Sequence, residues 1–375
     1  MKKVYILSHT DLDGYFSGGL VQFYFGKYIA EQYECDVDNN ITKRNYSKGY
    51  SAELQYFSEE VEYKHKSWTY GRKLPTAKSI IDGYDYVFIV DLCPDDFGFM
   101  TDLYDHFKEK LVWIDHHVKP DTEFLKQFTA KCPNEQINGL VADREHEMCA
   151  AYLTYVYFEK TYNKADPNRY EDIPDWLQLI SDFDCWNRDS EVRWQNRIMP
   201  YFSYLKGEVT TPAQAYNYII QRWLTKSYYN IQDRTSSTFT ICHSCKSVTE
   251  KEIKEGTAMY KMLKDIYKAE AKHGFERNIS VIQAGEPKML HAWICNTQNR
   301  SSVIFEEMEN IDDYDVLIPY HFNGEKYFYS MYTFKDDIKC NQISVLDSNN
   351  SVVLTFNGHD DAAGANSEIF AFPKY

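Results

Sequence analysis

An acid and two adjacent histidines close one apolar run near the middle of the N-terminal half. Asp115, His116 and His117 directly follow 111–114, a run of four apolar residues that predicts a buried strand. A carboxylate with two imidazoles suits a divalent transition metal such as Mn²⁺ or Zn²⁺. Because neighbouring residues on a strand point to opposite faces, the two histidines either lie on a bend or perform different tasks.

Three other segments contribute side chains of the same chemistry. Two of them directly follow predicted strands, over 3–7 and 86–90, and the third follows a predicted helix over 174–180. Their candidate ligands are His9, Asp11 and Asp13, then Asp91, and then Asp182 or Asp184. Since the carboxyl ends of parallel strands meet at one edge of a sheet, where ligands bind, we expect these side chains to converge.

The inventory is large enough for two metal ions. Two divalent ions about 3.5–4 Å apart need one bridging ligand and two or three further ligands each. Asp91 stands alone at the end of the most apolar strand and is the natural bridge. Such a pair activates water for attack on a phosphate, so the sequence predicts metal-assisted phosphoester hydrolysis.

These acids also have a simpler interpretation. The segment 9–14 could be a turn in which the acids cap a helix and Gly14 eases the bend. Asp182 and Asp184 could likewise be ordinary helix caps. All four segments together favour the metal site, since helix capping alone does not require acids and histidines after successive strands.

Strands and helices alternate along the N-terminal part, which predicts an α/β fold with a parallel, doubly wound sheet. Helices are expected over 15–33, 102–110, 149–162, 211–229 and 249–272, and short strands over 280–283, 290–295, 316–320 and 327–332. No element is predicted within 36–75. We expect a metal-binding domain over 1–210, a helical connector over 211–277 and a smaller C-terminal α/β domain over 278–375.

The composition limits the kinds of partner that we expect the protein to bind. The 375 residues are 43% hydrophobic and carry a net charge of −15, which allows a large core and argues against a basic module for long nucleic acid. Metal ions would supply positive charge locally, so a polyanionic substrate should be short.

Nine scattered cysteines favour reduced thiols in the cytosol, and Cys242 and Cys245, although at zinc-like spacing, have no second pair. The apolar run at the start ends by Ser8, too early for a signal peptide, and no stretch approaches the ~20 residues of a membrane span. We therefore expect a soluble, cytoplasmic protein that does not engage membranes.

In this order, the motifs resemble those of the DHH phosphoesterase family, which is named for the sequence seen here at 115–117. The first motif is 8–14, the second is Asp91, the fourth resembles 181–186, and 357–364 resembles the Gly-Gly-His-x-x-Ala-Ala-Gly signature of the DHHA1 domain. The resemblance covers nearly the whole chain, and the first and fourth motifs are most similar to the nanoRNase B branch, which trims short oligoribonucleotides. Asn357 departs from the signature's first Gly, and Met331 and Tyr332 follow Ser330 where many relatives have Arg after Ser.

The resemblance implies two Mn²⁺ ions, with Mg²⁺ or Co²⁺ as substitutes, and a role for each motif residue. One ion would be held by His9, Asp11 and Asp91, and the other by Asp13, Asp91, His116 and Asp182, with Asp182 preferred to Asp184 as the Asp that follows Ser. His117 would contact the scissile phosphate, and Asp115 would orient the histidine pair. His359 and Gly358 would hold a substrate phosphate, with Arg300 and Ser301 as weaker candidates.

The predicted function is a Mn²⁺-dependent phosphodiesterase that hydrolyses a short single-stranded oligonucleotide or dinucleotide to mononucleotides. Within the same chemistry, single-strand DNA exonuclease, hydrolysis of cyclic dinucleotides or 3′-phosphoadenosine phosphate, and pyrophosphatase activity stay open, the last being least favoured. A non-catalytic nucleotide-sensing module is the alternative from another class. Cleavage direction and a homodimer also stay open.

Overall fold

The computed structural model describes residues 1–37, 61–69, 72–94, 96–117, 124, 126–128, 148–162, 173–230, 247–297, 302–305, 308, 310–358, 360 and 362–372. The chain forms two compact units, Met1–Met259 and Tyr260–Tyr375. The predicted three-part division into 1–210, 211–277 and 278–375 stays a prediction.

The first unit is built on a four-stranded parallel sheet with the strand order β2-β1-β3-β4. Its strands are β1 (Lys2–His9), β2 (Val61–Trp68), β3 (Tyr86–Val90) and β4 (Leu111–Ile114). Apolar side chains fill the central strands β1 and β3 almost without a break, as expected where both faces of a parallel sheet are covered.

The helices of this unit connect the strands and continue after them. They are α1 (Leu12–Val37), α2 (Ala77–Ile81), α3 (Phe97–Phe107), α4 (Ala150–Tyr162), α5 (Asp175–Asp184), α6 (Met199–Glu208), α7 (Pro212–Asn230) and the first part of α8 (Glu250–Ala271). A helical turn, Glu191–Arg193, and a π-helix, Trp194–Ile198, run directly into α6. None of the helices described has the length and apolar character that crossing a membrane requires.

Helices cover both faces of this sheet. On one face, Leu7 and Ile89 belong to the same buried cluster as Leu103 of α3. On the other face, the ring of Phe88 lies between aromatic rings of α1 and α4, with centroids 5.3 Å from Phe25 and 6.1 Å from Phe158. Alternate residues of each strand therefore anchor opposite helical layers.

Three local features differ from the sequence-based expectation. The edge strand β2 lies within 36–75, and its exposed Glu and Lys side chains alternate with half-buried ones, so it lacks an apolar run. Helix α3 begins at Phe97 rather than 102, because the side chain of Asp96 accepts a hydrogen bond from the Phe99 N–H at 2.9 Å. Helix α5 extends to Asp184, so both acids of the fourth motif lie on the helix rather than after it.

The second unit contains an eight-stranded sheet with the order β10-β9-β5-β6-β7-β8-β12-β11. Its strands are β5 (Phe275–Gln283), β6 (Glu286–Asn296), β7 (Val316–Phe322), β8 (Tyr327–Tyr332), β9 (Ile343–Leu346), β10 (Val352–Thr355), β11 (Asn357–Gly358) and β12 (Ala362–Ser367). Among the described strand pairs of this sheet, only β6 and β7 are parallel. The sheet is therefore mainly antiparallel, and the end of α8 belongs to the same unit. The prediction of a small α/β domain did not specify this strand arrangement.

Candidate metal centre

Three parallel strands deliver the polar residues of the first unit to one edge of the sheet. His9 ends β1, Asp91 directly follows β3, and Asp115 directly follows β4. These strands are neighbours in the order β1-β3-β4, so their carboxyl ends lie side by side. The convergence expected from the sequence is therefore present.

The two adjacent histidines reach the same place because the strand ends before them. Strand β4 stops at Ile114, and His116 and His117 lie in a bend. Their ring centroids are 4.4 Å apart, and the ring of His9 is 6.3 Å from that of His117. Because the pair lies beyond the strand, its side chains do not have to point to opposite faces of the sheet. A bend was one of the two arrangements that the sequence allowed.

Three carboxylates surround one nitrogen of His116. Its Nε2 lies 3.6 Å from Oδ2 of Asp13, 3.4 Å from Oδ1 of Asp91 and 3.3 Å from Oδ2 of Asp184. The acids come from the first turn of α1, the residue after β3 and the end of α5. An imidazole among several carboxylates is a typical donor set for a divalent transition ion.

Asp91 is the most constrained residue of the cluster. Its side chain is 1% exposed, and neither carboxylate oxygen has a hydrogen-bond donor among the described residues. Its backbone has φ +54°, a left-handed conformation uncommon for residues other than glycine, and its N–H donates to the Ile114 carbonyl at 2.9 Å. Burial, followed by the nearby charges of Asp13 and Asp11, raises the pKa of Asp91 well above its ordinary value.

Asp91 also belongs to two groups of metal-ligating side chains. His9 and Asp11 complete one group and His116 and His117 the other, and within each group the ligand atoms lie within 4.8 Å of one another. A buried carboxylate without a donor, shared by two sets of imidazole and carboxylate ligands, fits the bridging position of a two-ion site.

Asp11 is held by its immediate neighbours. One oxygen forms a close hydrogen bond with Nδ1 of His9, and the other accepts the Gly14 N–H at 2.9 Å. Burial by itself would raise the pKa of Asp11, but the hydrogen bond and charge of His9 outweigh it, and the pKa is lowered. A Cβ at Gly14 would lie 2.4 Å from the His9 carbonyl oxygen, so this tight turn requires glycine.

Asp13 lies in the first turn of α1 but caps a different helix. Its two carboxylate oxygens accept the N–H groups of Ala150 and Ala151, each at 2.7 Å, at the beginning of α4. The side chain is buried and also faces His116. A carboxylate has enough lone pairs to accept these hydrogen bonds and also to bind a metal ion. Asp13 is therefore compatible with both interpretations of the sequence, helix capping and metal binding.

The fourth motif places Asp184, not the preferred Asp182, beside the histidine. Asp182 is buried and forms a close ion pair with Arg193, and its Oδ1 accepts a hydrogen bond from the Gln178 side chain at 2.9 Å. Residues two apart on a helix point about 200° away from each other, so only one of the acids can face the cluster. Burial and the charges of other acids, with Asp13 first, raise the pKa of Asp184 well above its ordinary value.

Asp115 contacts the second histidine of the pair. Its Oδ1 lies 2.7 Å from Nδ1 of His117, and the acid is fully buried. Burial alone would lower the pKa of His117, but the charge and hydrogen bond of Asp115 outweigh it and raise the pKa to about 9. The orienting contact predicted for Asp115 is thus present for His117.

The predicted substrate residues lie mostly outside the described residues: Arg300, Ser301 and His359. Gly358 ends β11 with φ +143°, and its carbonyl accepts a hydrogen bond from the Asn341 side chain at 3.1 Å. A Cβ there would lie 2.9 Å from the Ala362 carbonyl oxygen, so the β11–β12 hairpin requires this glycine.

Two residues beside the acids of the fourth motif were missed by sequence reasoning. Cys185 forms a candidate ligand group with His116 and Asp184. Its only signal was its place directly after Asp184. Arg193 pairs with Asp182 across 11 residues and carried no local signal.

No protein-family model matches the sequence, and comparison with curated proteins finds no match. Solved structures similar to the chain include a DHH domain from a protein described as a member of a family of ribosomal proteins, at 12% identity and TM-score 0.47, over 99% of this chain and 83% of that one. RecJ with Mn²⁺ from Thermus thermophilus matches at 13% identity and TM-score 0.41, over 99% of this chain, which spans half the length of that one. PggH, a pGpG-specific phosphodiesterase from Vibrio cholerae, matches at 10% identity and TM-score 0.38, over 98% and 94% of the two chains. One of these solved structures is a DHH domain, and DHH is the family that the order of this chain's motifs resembles.

Proposed function

We propose that this chain is a metal-dependent phosphoesterase of the DHH family that hydrolyses short oligonucleotides. The observation that carries the proposal is Asp91, a buried carboxylate without a donor among the described residues and shared by two groups of candidate ligands. Protein interiors seldom leave such a group uncompensated. A pair of divalent cations would compensate it.

The ligand assignment follows the contacts. His9, Asp11 and Asp91 would hold one ion, and Asp13, Asp91, His116 and Asp184 would hold the other. Asp184 replaces Asp182 because its carboxylate lies 3.3 Å from Nε2 of His116. We propose Mn²⁺ as the resident ion, with Mg²⁺ or Co²⁺ as substitutes, since mixed imidazole and carboxylate sets suit Mn²⁺ better than Mg²⁺.

The chain's own residues would assist the reaction in two ways. When bound, the ions lower the pKa of a water molecule and screen the charge of the phosphate. His117, whose pKa is raised by the neighbouring Asp115, can donate a hydrogen bond to the scissile phosphate. Asp115 keeps the ring in place through Nδ1, which assigns the substrate contact to Nε2.

Charge and composition support a small substrate. The net charge of −15 disfavours a long polyanion, while one or two phosphates can be neutralised at the ions. The second unit, with Gly358 in its terminal signature, would act as a DHHA1-like domain that binds one substrate phosphate together with His359. None of the five described cysteines forms a disulfide, in keeping with a cytoplasmic location.

The test is a substrate panel in Mn²⁺, with labelled RNA and DNA of two to five nucleotides, a cyclic dinucleotide and 3′-phosphoadenosine phosphate. We expect release of mononucleotides from short RNA, and a loss of about 100-fold or more in Asp91→Asn, since even outer-shell metal-site changes cost 10- to 100-fold. Asp102→Asn, on the exposed side of α3, is the matched control. Equal turnover by wild type and Asp91→Asn, or no turnover of any panel member, would overturn the proposal.

A further inference from the structure

Cys185 places a thiol in the same cluster of side chains. Its Sγ, a ring nitrogen of His116 and a carboxylate oxygen of Asp184 all lie within 4.8 Å of one another. The cysteine is partly exposed and forms no disulfide. Ligand atoms bound to one ion at about 2.0–2.3 Å lie at most about 4.6 Å apart, so this spacing is close to that of a coordination sphere.

The backbone at the end of α5 holds the thiol in this position. Trp186 adopts a left-handed conformation with φ +55°, and its N–H donates to the Phe183 carbonyl at 3.1 Å. The next N–H, of Asn187, donates to the Asp182 carbonyl at 2.7 Å. This pair of hydrogen bonds is the Schellman motif, which usually has glycine where Trp186 stands. The turn therefore fixes the positions of Asp184 and Cys185, and the left-handed conformation of Trp186 strains the backbone.

We propose that Cys185 is a further metal ligand, whose thiolate binds the ion held by Asp184 and His116. The inference rests on the proposed metal site. A second observation supports it, because the buried, donor-free carboxylate of Asp91 lies 3.4 Å from the same nitrogen of His116. The donors of Cys185, Asp184 and His116 thus lie together, and Asp91 approaches the same histidine from a third segment.

Binding through sulfur changes no oxidation state. The S–H bond breaks, the proton leaves to solvent, and a sulfur lone pair binds the ion. Thiolate is a softer donor than carboxylate, so it favours Co²⁺ and Zn²⁺ over Mn²⁺ and Mg²⁺. Cys185 therefore gives this position a metal preference different from that of the position at His9 and Asp11.

The experiment uses the full chain loaded with Co²⁺, in a Cys242→Ser/Cys245→Ser background that removes the other candidate thiols at zinc-like spacing. Bound Co²⁺ should show a thiolate-to-cobalt charge-transfer band in the near ultraviolet. Cys185→Ser should abolish the band and weaken Co²⁺ binding by at least about 10- to 100-fold, as loss of an outer-shell partner already does. Binding of Mn²⁺ should change less.

Cys149→Ser is the matched control, because Cys149 is fully buried nearby but belongs to none of the candidate ligand groups. It should keep the charge-transfer band. X-ray absorption on Co²⁺ in the background variant gives a second measurement that does not depend on how Cys185→Ser folds. It should show a Co–S distance of about 2.3 Å, close to the Zn–S value.

The outcomes separate the two proposals. Co²⁺ binding that Asp91→Asn abolishes, without a charge-transfer band or sulfur scattering, would overturn the role of Cys185 and leave the metal site intact. A band that survives Cys185→Ser would also overturn that role. Absence of Co²⁺ binding to the background protein would overturn both.

Discussion

Asp91 combines a left-handed backbone, complete burial and close approach of other acids. Each feature alone is unfavourable, and side chains in such positions are typical of functional sites. Divalent cations would relieve the repulsion between the acids. The proposed site thus gives one physical reason for several unfavourable features at a single residue.

At the same scale, the two adjacent histidines have different partners. Three carboxylates surround Nε2 of His116, whereas Nδ1 of His117 is bound to Asp115. We expect His116→Ala to lower the number of Mn²⁺ ions bound per chain. We expect His117→Ala to keep the ions and to lower turnover by about 100-fold or more, as for loss of a positioned acid or base.

Metal content by elemental analysis and turnover of a short oligonucleotide distinguish the two histidine variants. His106→Ala, on the exposed surface of α3, is the control and should change neither quantity. The same loss of metal in His116→Ala and His117→Ala would show that both histidines are ligands.

At the scale of elements, the contact between α1 and the edge strand β2 depends on an unusual pair. A Cβ at Gly18 of α1 would lie 2.0 Å from the ring of His65 on β2, so only glycine admits the imidazole. The ring shares hydrogen bonds with the Ser8 hydroxyl at 2.8 Å and the Gln22 side chain at 3.3 Å. The histidine is therefore a packed, neutral part of this contact.

This contact predicts a pH dependence of stability. Burial lowers the pKa of His65 from 6.5 to about 4, so the unfolded chain takes up the proton first. The free energy of unfolding should therefore decrease by about 2–3 kcal/mol as the pH falls from 6.5 to 4. Urea unfolding at several pH values should show this loss in wild type.

The matched variant is His65→Gln, which keeps hydrogen-bonding groups but does not titrate in this range. The free energies of unfolding of His65→Gln and of wild type should become more similar as the pH falls from 6.5 to 4. A constant difference across this range would show that His65 does not stay neutral in the folded protein.

At the scale of the whole molecule, the net charge of −15 and the proposed local cations set the dependence of binding on salt. Single-stranded nucleic acid releases counterions with a slope of about −0.7 per phosphate neutralised in a plot of log K against log salt. With contacts at one or two phosphates, we expect slopes of about −0.7 to −1.4 for short oligonucleotides. A basic groove along a long strand would give a steeper slope.

Binding of a non-hydrolysable tetranucleotide, measured between low and moderate salt with metal at constant activity, checks this expectation. An oligonucleotide of about 20 nucleotides is the comparison, and it should bind with a similar slope because only its end contacts the ions. A slope steeper than about −4 for the longer strand would indicate an extended binding surface.

The sequence by itself determined the parallel central strands and the order of the acids and histidines that follow them. Apolar runs that end in acids or histidines specify a buried strand and a polar edge without knowledge of distant contacts. Strands β1, β3 and β4 were predicted within a few residues, and the role of Asp91 as a metal bridge, predicted from its place after β3, stays a prediction. Such local information is sufficient because each strand and its terminal residue are adjacent in the chain.

Only the tertiary structure decided which side chains meet. The choice of Asp184 over Asp182 depends on the rotation of α5, the capping of α4 by Asp13 joins residues 137 apart in sequence, and the bend after β4 brings both histidine rings to one site. The partly polar strand β2 and the thiol of Cys185 had no signal of their own. Their places depend on contacts between distant segments and on the angular phase of a helix, which local sequence patterns do not specify.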